Sequence, residues 1–211
     1  KNGAGNAGGL IFNNPNGYFT SHILENSAWD FIPYTSAAEN CIKKADAVYF
    51  GTLALRKAYS ENTILDLIDA APARAYKFFD VNLRQNYYSL RIIRKLLEKA
   101  DILKLNAEEL KIIKNILSLT GSPENICLKL KETYQLKYVI LTNMAKESFI
   151  WGDDCISSLQ NGQLQQTFAY GAGNAFAGTF MSALLRGYTL HEAHEKANQT
   201  AIEVCLATQK S

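Results

Sequence analysis

Cysteine is scarce in this chain: four among 211 residues, Cys41, Cys127, Cys155 and Cys205, with no Cys-x-x-Cys pair. That pattern excludes a disulfide-stapled scaffold and a cysteine zinc ribbon, and predicts reduced thiols in a cytosolic protein, mostly packed in the core. Histidine is scarcer still, at three. His191 and His194 stand one residue too close for the His-Glu-x-x-His zinc motif, so they read as part of a solvated helix face. No apolar run reaches the roughly 20 residues a membrane-spanning helix needs, and no leader-like segment opens the sequence. Neither sign of charge is in excess: 22 Lys+Arg against 20 Asp+Glu leave a net +2. Nothing in that balance implies nucleic acid or an anionic membrane as partner. What is present is an ordinary globular composition, 47% hydrophobic and 20% charged, enough to bury one sizeable core.

The opening residues, Lys1 to Gly9, are rich in glycine and asparagine. Leu10 to Phe12 and Tyr18 to Leu24 read as two strands joined by the turn signal Asn13-Asn14-Pro15-Asn16-Gly17, which predicts a hairpin. Beyond Thr35 the pattern alternates. Strands are expected at Ala45–Phe50, Tyr76–Val81, Asp101–Leu105 and Lys137–Thr142. Helices are expected at Ser60–Ala70 (Ser60 as N-cap), Leu90–Lys99, Asn106–Leu117 and Glu124–Tyr134. Phe149–Trp151, Cys155–Leu159 and Gln165–Phe168 read as a short antiparallel set, followed by long helices from Asn174 and from Leu190. Such alternation predicts an α/β fold, a mostly parallel sheet flanked by helices. Ligands of such sheets bind beyond the carboxyl ends of the strands, here after Asp80, Leu105, Thr142 and Phe168.

The organising stretch is Tyr170-Gly171-Ala172-Gly173-Asn174-Ala175-Phe176. Two glycines let the backbone turn tightly, and the helix behind them offers N–H groups and a partial positive charge suited to phosphate. Its plain alternative is a glycine turn with Asn174 as N-cap. It is not a Walker A loop, which needs Gly-Lys-Ser/Thr, nor a dinucleotide fingerprint, which fails at Phe176. Two further stretches carry chemistry. In Asp80-Val81-Asn82-Leu83-Arg84, a forked guanidinium can clamp an anionic oxygen and Asn82 can donate and accept. In Lys104-Leu105-Asn106-Ala107-Glu108-Glu109, Asn106 and Glu109 offer hard oxygens suited to magnesium, and also the spacing of a plain capping box.

Together, in order and at their spacing, these stretches resemble the PfkB (ribokinase-like) carbohydrate kinases, most of all fructokinases and 2-keto-3-deoxygluconate kinases. Asp80 to Arg84 is similar to the family's Asp-x-Asn-x-Arg, Asn106 to Glu109 to its Asn-x-x-Glu, and Gly171 to Asn174 to its Gly-Ala-Gly-Asp. Gly51-Thr52-Leu53-Ala54-Leu55-Arg56 looks like the family's Gly-Ser-Leu-Ala-Gln-Arg, with Leu55 in place of a polar residue. The resemblance implies ATP-dependent phosphoryl transfer to a hydroxyl of a small sugar. Asn174, Gly171, Ala172, Gly173 and Arg84 would be catalytic. Asn106, Glu109, Thr142, Met144, Glu147 and Asn198 would face ATP, with Asn106 and Glu109 ordering Mg2+. Asn82, Arg84, Asn6 and Trp29 would face the sugar. It also implies a cytoplasmic enzyme with lid strands over residues 1–34 and a nucleotide-binding core over 35–211, dimerising through Leu10 to Leu24. Relatives carry a further N-terminal segment with the main sugar-binding motif, which this sequence does not include.

The sequence departs from the pattern where phosphate is handled. Asn174 stands where the family has its aspartate base, Phe168 replaces the first residue of Asp-Thr-x-Gly-Ala-Gly-Asp, and Met144 and Glu147 replace turn glycines near the nucleotide. An amide can hold a hydroxyl but cannot take its proton at neutral pH. The alternative expectation is therefore a catalytically impaired relative that binds or scaffolds.

Overall fold

The computed structural model describes residues 9–13, 19–143, 146–160 and 171–208. The chain divides into two compact units, 1–99 and 100–211.

In the first unit, β1 (Gly9–Asn13) and β2 (Phe19–Ile23) pair antiparallel as the expected hairpin. The turn between them falls outside the described residues, apart from Asn13. A 3-10 turn (Ala28–Asp30) and a short helix, α1 (Ser36–Ile42), follow. β3 (Ala47–Phe50) then pairs parallel with β4 (Tyr76–Asp80), connected by a second 3-10 turn (Leu53–Leu55) and α2 (Ala58–Ala70). α3 (Leu90–Lys99) closes the unit and buries Ile92, Ile93, Leu96 and Leu97, one stripe of a 3.6-residue period. It is tied to α2 by Glu61, which is buried and accepts from Arg91 and Lys95. A Cβ on Gly51 would stand 3.0 Å from the Asp80 carbonyl oxygen, so only glycine lets the end of β3 pass that close to β4.

Ser60 does not cap α2. The helix begins at Ala58 with Lys57 as N-cap, and the buried Ser60 hydroxyl instead accepts from the Ile32 amide at 2.9 Å. Among the described residues the most deeply buried ion pair is Asp30–Arg56. Arg56 donates to both carboxylate oxygens at 2.6 and 2.7 Å, with side chains 0% and 3% exposed, and its guanidinium lies 4.4 Å from the centre of the Tyr87 ring.

In the second unit, β5 (Ile102–Asn106) and β6 (Tyr138–Asn143) pair parallel, connected by α4 (Ala107–Ile116) and α5 (Pro123–Thr133). β7 (Glu147–Trp151) and β8 (Ile156–Gln160) continue antiparallel, as expected. The third strand of that expected set, Gln165–Phe168, lies outside the described residues. Two helices complete the unit, α6 (Ala172–Leu185) and α7 (Leu190–Thr208), and they pack against each other. Phe176 and Phe180 of α6 stack at 6.3 Å on its buried face. Among the described residues no helix is long and apolar enough to cross a membrane.

Two expectations fail here. All four cysteines are free thiols, but only Cys127 is buried; Cys41 and Cys155 are exposed. His191 is solvated, whereas His194 is 0% exposed, because its turn of α7 faces β7 and β8. There it meets Ser157 through Nδ1 and Ser148 through Nε2, each at 2.8 Å. Burial, aided by the charge of His191, pushes the pKa of His194 down from 6.5 to about 4. The unfolded chain therefore takes up a proton that the folded chain refuses between those values. Stability should be full above about pH 6.5 and fall as the pH drops toward 4, by up to about 3 kcal/mol. Urea unfolding at pH 7 and 4.5 checks this, and His194→Gln should flatten the dependence.

Candidate functional site

Of the residues expected to face ATP, Asn106 and Thr142 come together at the carboxyl end of β5 and β6. The parallel register sets Asn106 beside Thr142. Asn106 ends β5 and caps α4: its Oδ1 accepts from the Glu109 amide and the Glu109 carboxylate accepts from the Asn106 amide, both at 2.9 Å. The capping box is thus formed, and it does not exclude a metal role. Glu109 is 8% exposed, with its carboxylate oriented by the Asn106 amide. Magnesium retains waters and needs only one or two protein carboxylates, so Glu109 and Asn106 suit it chemically. Among the described residues no three His, Cys, Asp or Glu side chains form a dedicated metal cage.

Asn174 is not the N-cap of α6. The cap is Gly171, at φ 94°, a left-handed conformation that glycine adopts without penalty. Asn174 therefore sits at the third helical position, exposed, in the turn whose first N–H groups have no acceptor inside the helix. No described atom lies within 4 Å of the place a Gly171 side chain would occupy.

Beneath this bend is a residue whose chemistry the motif reading passed over. Lys104 is 5% exposed, and its Nζ lies 3.4 Å from the position a Cβ on Gly173 would take. The signal was legible: Lys104 is the one charged residue in the run Ile102-Leu103-Lys104-Leu105, a strand otherwise buried and apolar.

Glu147 opens β7 opposite Asn143, and its carboxylate is engaged by Asn143 Nδ2 at 3.4 Å and Gln160 Nε2 at 3.2 Å. Asn198 is half-buried on α7. Met144 lies outside the described residues, as does Asn6.

The residues expected to face the sugar, Asn6 apart, belong to the first unit. The loop after β4 is strained, with positive φ at Asn82 (37°) and Gln85 (47°) on either side of Arg84. It is pinned by Gln85, which accepts from the Ile23 amide at 3.0 Å, and by the Thr52 hydroxyl, which donates to the Val81 carbonyl at 3.3 Å. Arg84 is half-buried and donates to the Leu83 carbonyl at 3.3 Å. Trp29 lies in the first 3-10 turn, and its Nε1 is buried with no hydrogen-bond partner among the described residues. Leu55, in the polar position of the family stretch, is 1% exposed and belongs to the core.

The pattern of the pfkB family carbohydrate kinases matches residues 10–210, nearly the whole chain. This chain belongs to that family. No curated protein sequence matches it. Solved structures show the same ribokinase-like α/β fold. A fructokinase with bound ATP from Xylella fastidiosa superposes with a TM-score of 0.75 at 17% identity, over 96% of this chain and 68% of that one. A fructokinase from Vibrio cholerae O395, in a form with fructose, ADP and calcium ion bound, gives 0.73 at 21% identity, over 95% and 67%. Adenosine kinase from Trypanosoma brucei brucei gives 0.77 at 18% identity, over 97% and 66%. The chain thus spans about two thirds of the length of these family members.

Proposed function

We propose that this chain binds ATP with Mg2+ and supports slow phosphoryl transfer to a hydroxyl of a small sugar, in the manner of a fructokinase. The observation that carries the reading is that Lys104, set against Gly173 of the bend, stands two residues before the Asn106–Glu109 pair on the same strand. Backbone N–H groups of the bend and the Lys104 ammonium would stabilise charge developing on the transferring phosphoryl group, where fixed donors need no reorganisation. Glu109 and Asn106 would hold magnesium through waters; when bound, the ion neutralises charge on phosphate oxygens. Arg84, Asn82, Trp29 and Asn6 would face the sugar, with Thr142, Met144, Glu147 and Asn198 toward the nucleotide. Asn174 would orient the attacking hydroxyl without removing its proton.

Calorimetry with Mg-ATP tests this reading, followed by a coupled assay of ADP release with and without fructose. Saturable binding and slow fructose-dependent release are expected; absence of binding overturns the reading. Asn174 itself favours a second reading, a binding or scaffolding protein without turnover. Saturable ATP binding with no sugar-dependent release from either wild type or Asn174→Asp would select it. The reading includes a cytoplasmic setting and a homodimer through the β1–β2 hairpin, which sedimentation as a monomer at micromolar concentration would exclude.

A further inference from the structure

Two residues just beyond Arg84, Gln85 and Tyr87, tie its turn to the base of the β1–β2 hairpin. The Tyr87 amide donates to the Arg84 carbonyl at 3.1 Å and closes a turn over 84–87, in which Gln85 takes φ 47°. A non-glycine residue keeps that conformation only where its surroundings hold it.

Two sets of contacts hold it here. The Gln85 side chain accepts at 3.0 Å from the amide of Ile23, the last residue of β2. Ile23 is 7% exposed, and a buried amide deprived of its acceptor is costly. The Tyr87 ring lies 4.4 Å from the guanidinium of Arg56, whose side chain is 3% exposed and fixed by Asp30. That same guanidinium donates to the carbonyl of Leu24, the next residue along the hairpin exit. All of these residues belong to the first unit. The turn is therefore gripped by a side chain at one corner and a ring at its end, and both grips lead to Ile23 and Leu24. A shift of the hairpin base pulls on the backbone that carries Arg84.

We propose that Gln85 is a positioning residue that latches the Arg84 turn to the hairpin base, so that hairpin and guanidinium are set against a sugar as one piece. The inference rests on the reading that Arg84 faces the sugar. Gln85 itself touches no reacting group; it acts through Arg84.

Amide hydrogen exchange in the ligand-free protein tests the latch, followed by fructose-dependent ADP release. Gln85→Ala should speed exchange of the Ile23 amide by about tenfold, the worth of one hydrogen bond, and speed that of the Tyr87 amide with it. Gln85→Glu, which keeps an acceptor at the same reach, should restore both. Gln85→Ala should also raise the KM for fructose by about tenfold with kcat little changed and Mg-ATP affinity unchanged, the signature of lost substrate binding. Faster exchange at Ile23 alone makes the bond a local cap and overturns the proposal, as does an unaltered KM for fructose or a failure of Gln85→Glu to restore protection. The exchange arm needs no substrate. A wild-type chain that neither binds Mg-ATP nor releases ADP would overturn the kinase reading, while the two amides would still decide whether turn and hairpin move together.

Discussion

Asn174→Asp should raise fructose-dependent ADP release by about 10²–10⁴-fold, the usual worth of a positioned general base. The side chain lies at the third position of α6, exposed, in the first turn of the helix. A carboxylate there is stabilised by the macrodipole, so the new acid should be ionised at neutral pH. It can accept the proton of an attacking hydroxyl, which the amide cannot. Affinity for Mg-ATP should change far less than turnover, since the bend, Lys104 and Glu109 are untouched. A variant that binds ATP as before but releases ADP no faster would show that position 174 is not where the proton goes.

Asp30→Ala should lower stability by about 3–5 kcal/mol, the typical result of leaving half of a buried ion pair behind. Arg56 would keep its charge with a side chain only 3% exposed, losing both carboxylate bonds while still donating to the Leu24 carbonyl. The Ser27 amide would lose its acceptor as well. For a chain of 211 residues this corresponds to a melting temperature lower by roughly 10 °C. The pair also sets an acid limit. The hydrogen bond from Arg56 holds the Asp30 carboxyl below the usual carboxylate range. Its contribution is therefore complete above about pH 4 and is lost as the pH falls below that. Scanning calorimetry of both forms at neutral pH, then at pH 3, measures both effects; equal melting temperatures at neutral pH would contradict this account.

The features written in local periodicity were legible in the sequence. The strand–helix alternation from Ala47 onward follows from apolar stripes such as that of α3, whose bounds coincide with those expected. The Asn106–Glu109 spacing announced its capping box because both partners lie within one turn. α1 escaped notice because none of its residues is buried, so it has no apolar face to mark it. Ser60 was misassigned because a serine at a helix start looks the same whether it caps its own helix or accepts from Ile32, 28 residues away. His194 misled for the same reason: its partners Ser148 and Ser157 are 46 and 37 residues distant, and nothing in His-Glu-Ala-His indicates which histidine turns inward. Of the candidate site, the motif residues were readable from spacing, whereas Lys104 acquires meaning only when the fold sets its ammonium against Gly173.

Glu109 has two employers. The carboxylate that would order magnesium also closes the first turn of α4, so removing it harms the architecture whether or not any phosphate is ever moved. Asn174 is not the cap of its own helix, a place that Gly171 takes. A lineage abandoning its chemistry would still be under pressure to keep the capping glutamate at position 109. The surviving Asn-x-x-Glu is therefore poor testimony about present activity, and position 174 is the better witness.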